Sequence, residues 1–331
     1  MRAWQVDAHG EPRDVLSLVT VPEPVPGDGQ LLVRVRATAL NFPDVLLCRG
    51  TYQIRPPLPF TPGVELCGEV VAAGPGEDGV AGGVAVGDRV VGIPALPHGA
   101  LAEYALMDAT EAFPAPDALD DVAAAGLHIA YQTGWFALHR RAALQPGETL
   151  LVHAAAGGVG SAAVQLGSAA GATVIAVVGG PDKAQVATEL GADAVIDRHA
   201  QDFVGAVKEL TGGRGADVVF DPVGGDAFTG STKCIAFEGR IVVVGFAGGT
   251  IPAPALSHAL IKNYAILGLH WGLYQRHDPA AVRDVHQRLG ELAASGVVKP
   301  LVGGRLALTD AVDGLARLAA GQTVGRLVVV P

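Results

Sequence analysis

Apolar positions along the chain change rhythm twice. Up to about residue 123 they come in short runs, at 31–37, 68–73 and 89–92, separated by turn clusters such as Pro26-Gly27-Asp28-Gly29 and Gly82-Gly83. Runs of that length bounded by glycine and proline predict β-strands. From Asp120 the texture turns alanine-rich, and the spacing predicts a helix over 122–139 that stops near Gln145-Pro146-Gly147. Apolar runs then alternate with helical spacing. Strands are predicted at 149–153, 173–178, 194–196, 217–221, 240–245 and 265–269, and helices at 182–190, 203–210 and 228–237. That alternation predicts a parallel sheet covered on both faces. An amphipathic helix over 280–295, a helix over 309–320 and a closing strand over 326–330 are too few to enclose a core, so they are expected to rejoin the first segment. The fold class predicted is α/β, a doubly wound domain over 124–266 and a β-rich domain built from 1–123 and 267–331. Ligands are expected in the cleft at the carboxyl ends of the parallel strands.

The stretch 149–170, TLLVHAAAGGVGSAAVQLGSAA, organises the rest. It reads as strand, tight turn and helix, and its turn contains Gly158-Val159-Gly160-Ser161-Ala162-Ala163, a match to G-x-G-x-x-G/A. The first glycine takes the turn, the second lets the backbone approach a pyrophosphate, and Ala163 lets the helix pack closely on the strand. The helix start offers N–H groups and a positive dipole end to a dianion. Gly157, Gly158, Val159 and Gly160 are therefore candidate cofactor contacts.

Composition narrows the classes. The 331 residues suggest two domains, and with half of them hydrophobic and 17% charged a large core is expected. A net charge of −10 argues against broad nucleic-acid binding, which needs clustered Lys and Arg, but leaves room for a local basic pocket. Cys48, Cys67 and Cys234 are scattered and odd in number, which suits reduced thiols and neither a disulfide framework nor a zinc spacing. The opening residues lack a signal-peptide pattern, and no apolar run reaches the roughly 18 residues of a membrane span, so a soluble cytoplasmic protein is expected.

The second strand of such a domain usually ends in Asp or Glu when the cofactor is NAD, because the acid accepts from the ribose hydroxyls. Here it ends Val177-Val178-Gly179-Gly180-Pro181-Asp182-Lys183, with glycine at the acidic site. Lys183 follows closely and Arg198 follows the third strand, so both could face a 2′-phosphate. NADPH is the expected cofactor; solvated charges are the plainer reading of both residues.

With these residues in hand the chain resembles the medium-chain dehydrogenase/reductase superfamily, and in it the zinc-free quinone oxidoreductase branch of the zeta-crystallin type. The resemblance is carried by Asn41-Phe42-Pro43-Asp44, Arg49-Gly50-Thr51-Tyr52, Pro59-Phe60-Thr61-Pro62-Gly63-Val64-Glu65 and Gln145-Pro146-Gly147-Glu148. It continues through the AAAGGVG turn, Phe220-Asp221-Pro222-Val223-Gly224-Gly225, Val244-Gly245-Phe246-Ala247-Gly248-Gly249 and Gly268-Leu269-His270-Trp271-Gly272-Leu273-Tyr274. It implies a Rossmann domain joined to a GroES-like catalytic domain, NADPH as cofactor, a small quinone or enone as substrate, and a homodimer paired through the last cofactor-domain strand. Zinc members of the superfamily carry a Cys three before an Asp and a Gly-His-Glu further on. This chain has Asn41 before Asp44, and Gly63-Val64-Glu65, and amide and alkyl groups cannot replace thiolate and imidazole. His128 and Glu65 are two groups, which do not make a metal site, and core roles are expected for both.

The resemblance implies that Asn41 and Asp44 face the nicotinamide ribose and substrate, with Tyr52 bordering the same pocket as a donor to a developing oxyanion or as an aromatic wall. It places Phe246, Ala247 and Gly248 at the carboxamide, Thr133 at the nicotinamide or pyrophosphate unless it only packs inside its helix, and Arg326 at the cofactor phosphates unless it is a surface charge; Val223 is a further candidate cofactor contact. The family type often has Tyr at the place of Arg198 and Ser at that of Pro222. The expected reaction is NADPH-dependent, zinc-independent reduction of a quinone or related conjugated carbonyl. The alternatives are an enoyl-thioester reductase and a non-catalytic NADPH-binding protein.

Overall fold

The structure is a computed structural model that describes residues 1–75 and 83–331; Gly82, half of the expected Gly82-Gly83 turn, lies outside the described residues. The chain forms two units, Met1–Ile129 with His286–Pro331, and Ala130–Val285.

In the first unit β1 (Arg2–Val6) and β2 (Leu16–Thr20) make an antiparallel ribbon. The larger sheet is built on β3 (Gln30–Ala39), whose Leu31, Val33, Val35 and Ala37 point into the core while Arg34 and Arg36 point to solvent and pair with Glu69. That alternation is what one covered face demands of a strand. β3 pairs antiparallel with β4 (Leu66–Ala73), and β5 (Arg89–Gly92), β6 (Tyr104–Asp108) and β7 (Ala112–Pro114) extend the sheet.

The second unit holds β8 (Thr149–His153), β9 (Thr173–Val178), β10 (Ala194–Asp197), β11 (Ala216–Asp221), β12 (Ile235–Val243) and β13 (Ala265–Gly268). They run parallel in the order β10-β9-β8-β11-β12-β13, which reverses between β8 and β11. Every side chain of β8 is buried, as expected of a strand covered on both faces. The helix Gly158–Ala169 lies close against it: a Cβ added at Gly167 would sit 2.4 Å from Leu150 Cδ2.

The chain then returns to the first unit as β14 (Val302–Ala307) and β15 (Arg326–Val330), and β15 pairs antiparallel with β3 through Val328↔Ala39 and Val329↔Thr38. One core cluster combines Val6, Leu40, Val45 and Phe60 with Leu308, Leu315 and Leu327, so the tail completes a core begun by the opening residues.

Four expectations change. The helix read over 122–139 is interrupted at Gly126, which caps Asp121–Ala125; a second helix, His128–Trp135, continues into a π-helix at Phe136–Arg141. Alanine-rich spacing does not reveal so short a break between two helices. The helix read over 228–237 is Gly225–Cys234, and β12 starts at once afterwards, with Glu238 at φ 58°. Phe42–Cys48, in a segment read only as strands, is a helix. Segment 267–285, with the helix Gly272–His277, belongs to the second unit.

Candidate active site

Phe42–Cys48 begins where Asn41 is still extended, with proline at the start and an acid in the first turn, the arrangement a helix start favours. The Asn41 backbone N–H donates to Asp44 Oδ2 at 2.8 Å, and the Asp44 N–H donates to the Asn41 backbone carbonyl at 2.9 Å. The other oxygen, Asp44 Oδ1, accepts from the N–H groups of Gly63 at 2.9 Å and Val64 at 3.1 Å. A single carboxylate thus ties the helix to the Gly63–Glu65 turn. Gly63 is required there: its φ is +102°, and a Cβ would meet Leu101 N at 2.5 Å. Asp44 is wholly buried, and burial pushes its pKa up to about 6 against the opposing pull of these N–H groups and of Arg326.

Glu65, also without exposure, is the second hub. Its Oε1 accepts from the Ile129 N–H at 2.7 Å, and its Oε2 accepts from Asn41 Nδ2 at 3.0 Å and from Arg326 Nη2. Asn41 Nδ2 donates a second time, to the Ala39 carbonyl at 3.0 Å. Arg326, expected at a cofactor phosphate, therefore lies in this network, brought there by the β15–β3 pairing and only 6% exposed. Tyr52 is half-buried and packs on the cluster of Val6, Leu40 and Phe60. Burial, and then the nearby Asp44 charge, raise its hydroxyl pKa above the ordinary value. The structure thus joins Asn41 and Asp44 directly and sets Tyr52 within electrostatic reach of Asp44. The link of Glu65 to Asn41 and Arg326 has no counterpart in the sequence reading.

In the second unit most of the predicted cofactor residues lie at the loops and helix starts that follow the carboxyl ends of the strands. After β8, Ala154 turns at φ 50°, Gly157 is extended as the cap, and Gly158, Val159 and Gly160 form the first turn of the helix. Their N–H groups have no acceptor within the helix. A Cβ at Gly160 would lie 2.1 Å from the Ala154 carbonyl oxygen, so the turn closes only around glycine. After β9, a Cβ on Gly179 would meet Arg198 Nε and Nη2, each at 3.2 Å, so the Arg198 guanidinium lies against the position where an acid would stand. Burial, and then the Arg198 charge, lower the Lys183 pKa. Two cations therefore share the end of the second strand.

After β11, Asp221 Oδ1 accepts from Val223 at 2.8 Å and Gly224 at 2.9 Å. The Ala247 and Gly248 N–H groups donate to the Pro222 and Val223 carbonyls at 3.0 and 2.9 Å. Val223, Phe246, Ala247 and Gly248 thus converge on one loop pair, with Phe246 partly exposed. Thr133 is buried in His128–Trp135. Sequence reading passes over His153, at the end of β8, whose ring is buried beside Ser231. It stands inside an apolar strand, where no spacing marks it.

Two family models match the chain: an alcohol dehydrogenase GroES-like domain over residues 27–117 and a zinc-binding dehydrogenase over residues 158–288. The quinone oxidoreductase-like protein 2 of Mus musculus is 37% identical over 309 residues, which cover 93% of this chain and 86% of that protein. The crystal structure of Escherichia coli quinone oxidoreductase complexed with NADPH superposes with a TM-score of 0.92 at 31% identity, covering 100% of both chains. A phthioceranic/hydroxyphthioceranic acid synthase of Mycobacterium tuberculosis is 32% identical over 305 residues, 92% of this chain and 14% of that protein. The chain belongs to the medium-chain dehydrogenase/reductase superfamily, to its quinone oxidoreductase branch, and is an oxidoreductase.

Proposed function

We propose that the protein is a zinc-independent, NADPH-dependent reductase of quinones or related conjugated carbonyls. The observation that carries this reading is the engagement of Asn41 with Glu65, which Arg326 holds in turn. At the positions where zinc relatives supply ligands, this chain offers an amide whose nitrogen already donates twice and an alkyl group, Val64. The carboxylate of Glu65 is itself held by Ile129, Asn41 and Arg326. Zinc needs lone pairs from thiolate, imidazole or free carboxylate, so these residues do not fit it. An acceptor reduced without a Lewis acid must spread the developing charge itself, as a quinone or an enone does.

The residues do fit a phosphorylated dinucleotide. The Gly157–Gly160 turn, closed to any Cβ at Gly160, suits a pyrophosphate, and Arg198 with Lys183 beside Gly179 suits a 2′-phosphate in place of a ribose-reading acid. When bound, the nicotinamide supplies the hydride. Backbone groups of Val223, Phe246, Ala247 and Gly248 would hold the carboxamide end, with Thr133 as a further contact. Tyr52, with its pKa raised, stays protonated at neutral pH and can donate to the oxygen on which charge gathers. Asp44 acts through its three N–H bonds, by holding Asn41 and the Gly63–Glu65 turn in place. The hydride and one proton convert the quinone to its hydroquinone.

Two supporting features concern assembly and setting. Leu256, Leu260 and Ile261 are 77%, 76% and 78% exposed on the helix Leu256–Lys262, which leads into β13 at the end of the sheet order. An uncovered apolar helix beside an open strand edge favours a homodimer formed there. Three buried, unbridged cysteines suit the cytoplasm, and no helix among the described residues is long and apolar enough to cross a membrane.

An enoyl-thioester reductase, which delivers hydride to the same kind of conjugated carbonyl, is the second reading. A steady-state panel of NADPH oxidation with quinones, enones and enoyl thioesters decides. Quinones are expected to be turned over; turnover of enoyl thioesters alone would transfer the assignment to the second reading.

A further inference from the structure

Building on that NADPH-reductase reading, we propose that Glu65 and Arg326 are positioning residues. Together they fix the polarity of the Asn41 amide, so that Asn41 offers a bound molecule a hydrogen-bond acceptor and no donor. The amide has two N–H groups, both on Nδ2, and Nδ2 faces two acceptors, the Ala39 carbonyl and Glu65 Oε2, each at 3.0 Å. Turning the amide over would set Oδ1 against a carbonyl oxygen and a carboxylate at once. Oδ1, toward which the Asp44 backbone N–H is directed in the capping box, keeps a second lone pair and is therefore the atom left to meet a ligand.

Glu65 cannot yield to such a turn. Its Oε1 holds the Ile129 N–H at 2.7 Å, and its Oε2 is held by Arg326 Nη2. Arg326 is fixed in turn by β15, which lies between β14 and β3. The backbone of Asn41 is pinned independently by Asp44. All four side chains have at most 6% exposure, where polar contacts are strong and misalignment is costly. A buried ion pair is in general no more stabilising than well-packed apolar side chains, so stability alone does not account for it. Setting the direction of one amide does.

An acceptor on Asn41 recognises an O–H donor. Two sources carry that chemistry, a ribose hydroxyl of the dinucleotide and the hydroxyl formed on the reduced acceptor.

The test uses four full-length proteins: wild type, Glu65→Gln, Asn41→Asp, and the double swap Asn41→Asp/Glu65→Gln. In Glu65→Gln the introduced amide cannot accept from Ile129, Asn41 and Arg326 together. In Asn41→Asp the introduced carboxylate would face Glu65 with like charge. In the double swap the introduced glutamine amide donates to the inward oxygen of the introduced aspartate, a single negative charge remains beside Arg326, and the outward atom is again an acceptor, although the inward oxygen now faces the Ala39 carbonyl. Each single change is expected to lower kcat/KM by about ten-fold or more, and the double swap to recover part of that loss. A purely structural role would move the melting temperature of the singles without a reciprocal rescue of kcat/KM. Loss seen in the NADPH dissociation constant, read by quenching of protein fluorescence, assigns the ribose hydroxyl. Loss seen only in kcat at saturating NADPH assigns the acceptor. A folded Glu65→Gln protein with wild-type Kd and kcat, or a double swap no better than the worse single, would overturn the proposal. Wild-type protein that binds NADPH yet reduces no quinone would sink the functional reading, while the Kd comparison would still decide the role of Glu65.

Discussion

His153 donates from Nε2 to Ser231 Oγ across 2.8 Å, because the serine hydroxyl gives its own hydrogen to the Ala227 carbonyl at 2.7 Å. The direction of this chain fixes the neutral tautomer with a bare Nδ1. Burial, outweighing the nearby Asp221, lowers the His153 pKa from 6.5 to about 4, and burial also lowers those of His128 and His286.

These shifts predict acid sensitivity. A histidine whose pKa is depressed by folding contributes stability that is whole above about pH 6.5 and is lost as pH falls through about 4, since the unfolded chain takes up the proton first. Asp44, raised from 3.8 to about 6, works the other way: its contribution is present below about pH 4 and lost as pH rises through 6. Three histidines oppose one aspartate. Urea unfolding should show stability falling between pH 6.5 and 4, and His153→Gln should lose roughly 3 kcal/mol less than wild type over that range. Parallel curves for the two proteins would refute the assignment.

Arg198 against Gly179 predicts cofactor choice. Lys183→Ala and Arg198→Ala should each raise KM for NADPH about ten-fold or more and leave KM for NADH nearly unchanged, because only the 2′-phosphate loses a charged partner. An unaltered NADPH to NADH preference in both variants would remove these residues from the site.

Asp44→Ala strands three backbone N–H groups, those of Asn41, Gly63 and Val64. Relief of the buried charge offsets part of the cost, leaving an expected loss of about 2 to 4 kcal/mol at neutral pH, together with a lower kcat/KM. Chemical denaturation measures the first and steady-state kinetics the second. Loss of activity at unchanged stability would instead give Asp44 a direct part in the chemistry.

Placing charge on the bare helix should separate the subunits. Leu260→Glu/Ile261→Glu is expected to sediment as a monomer where wild type sediments as a dimer, with an intact fold by circular dichroism. A wild-type monomer would dismiss the proposed pairing along β13.

The parts of this molecule that are legible in the sequence are those written in local spacing. The turn 157–160 announces itself because strand, glycines and helix follow one another within some twenty residues. The six parallel strands do so because each carries its own apolar run. Phe42–Cys48 does not, since seven residues with Pro43 have little helical pattern and depend on the Asn41–Asp44 clamp. The family resemblance sends Arg326 to the cofactor, and a core or supporting role is expected of Glu65. Their contact joins residues 261 positions apart, which only the return of β15 to β3 brings together. Charge complementarity over that separation leaves no periodic trace.

Asn41, Val64 and Glu65 are proposed to leave no seat for a catalytic metal. The most direct measurement is NADPH-dependent quinone reduction by EDTA-treated, metal-analysed protein, before and after addition of zinc. Full turnover is expected with zinc far below one equivalent per chain, and no gain on adding it. Activity that disappears with chelation and returns in step with one bound zinc would contradict it.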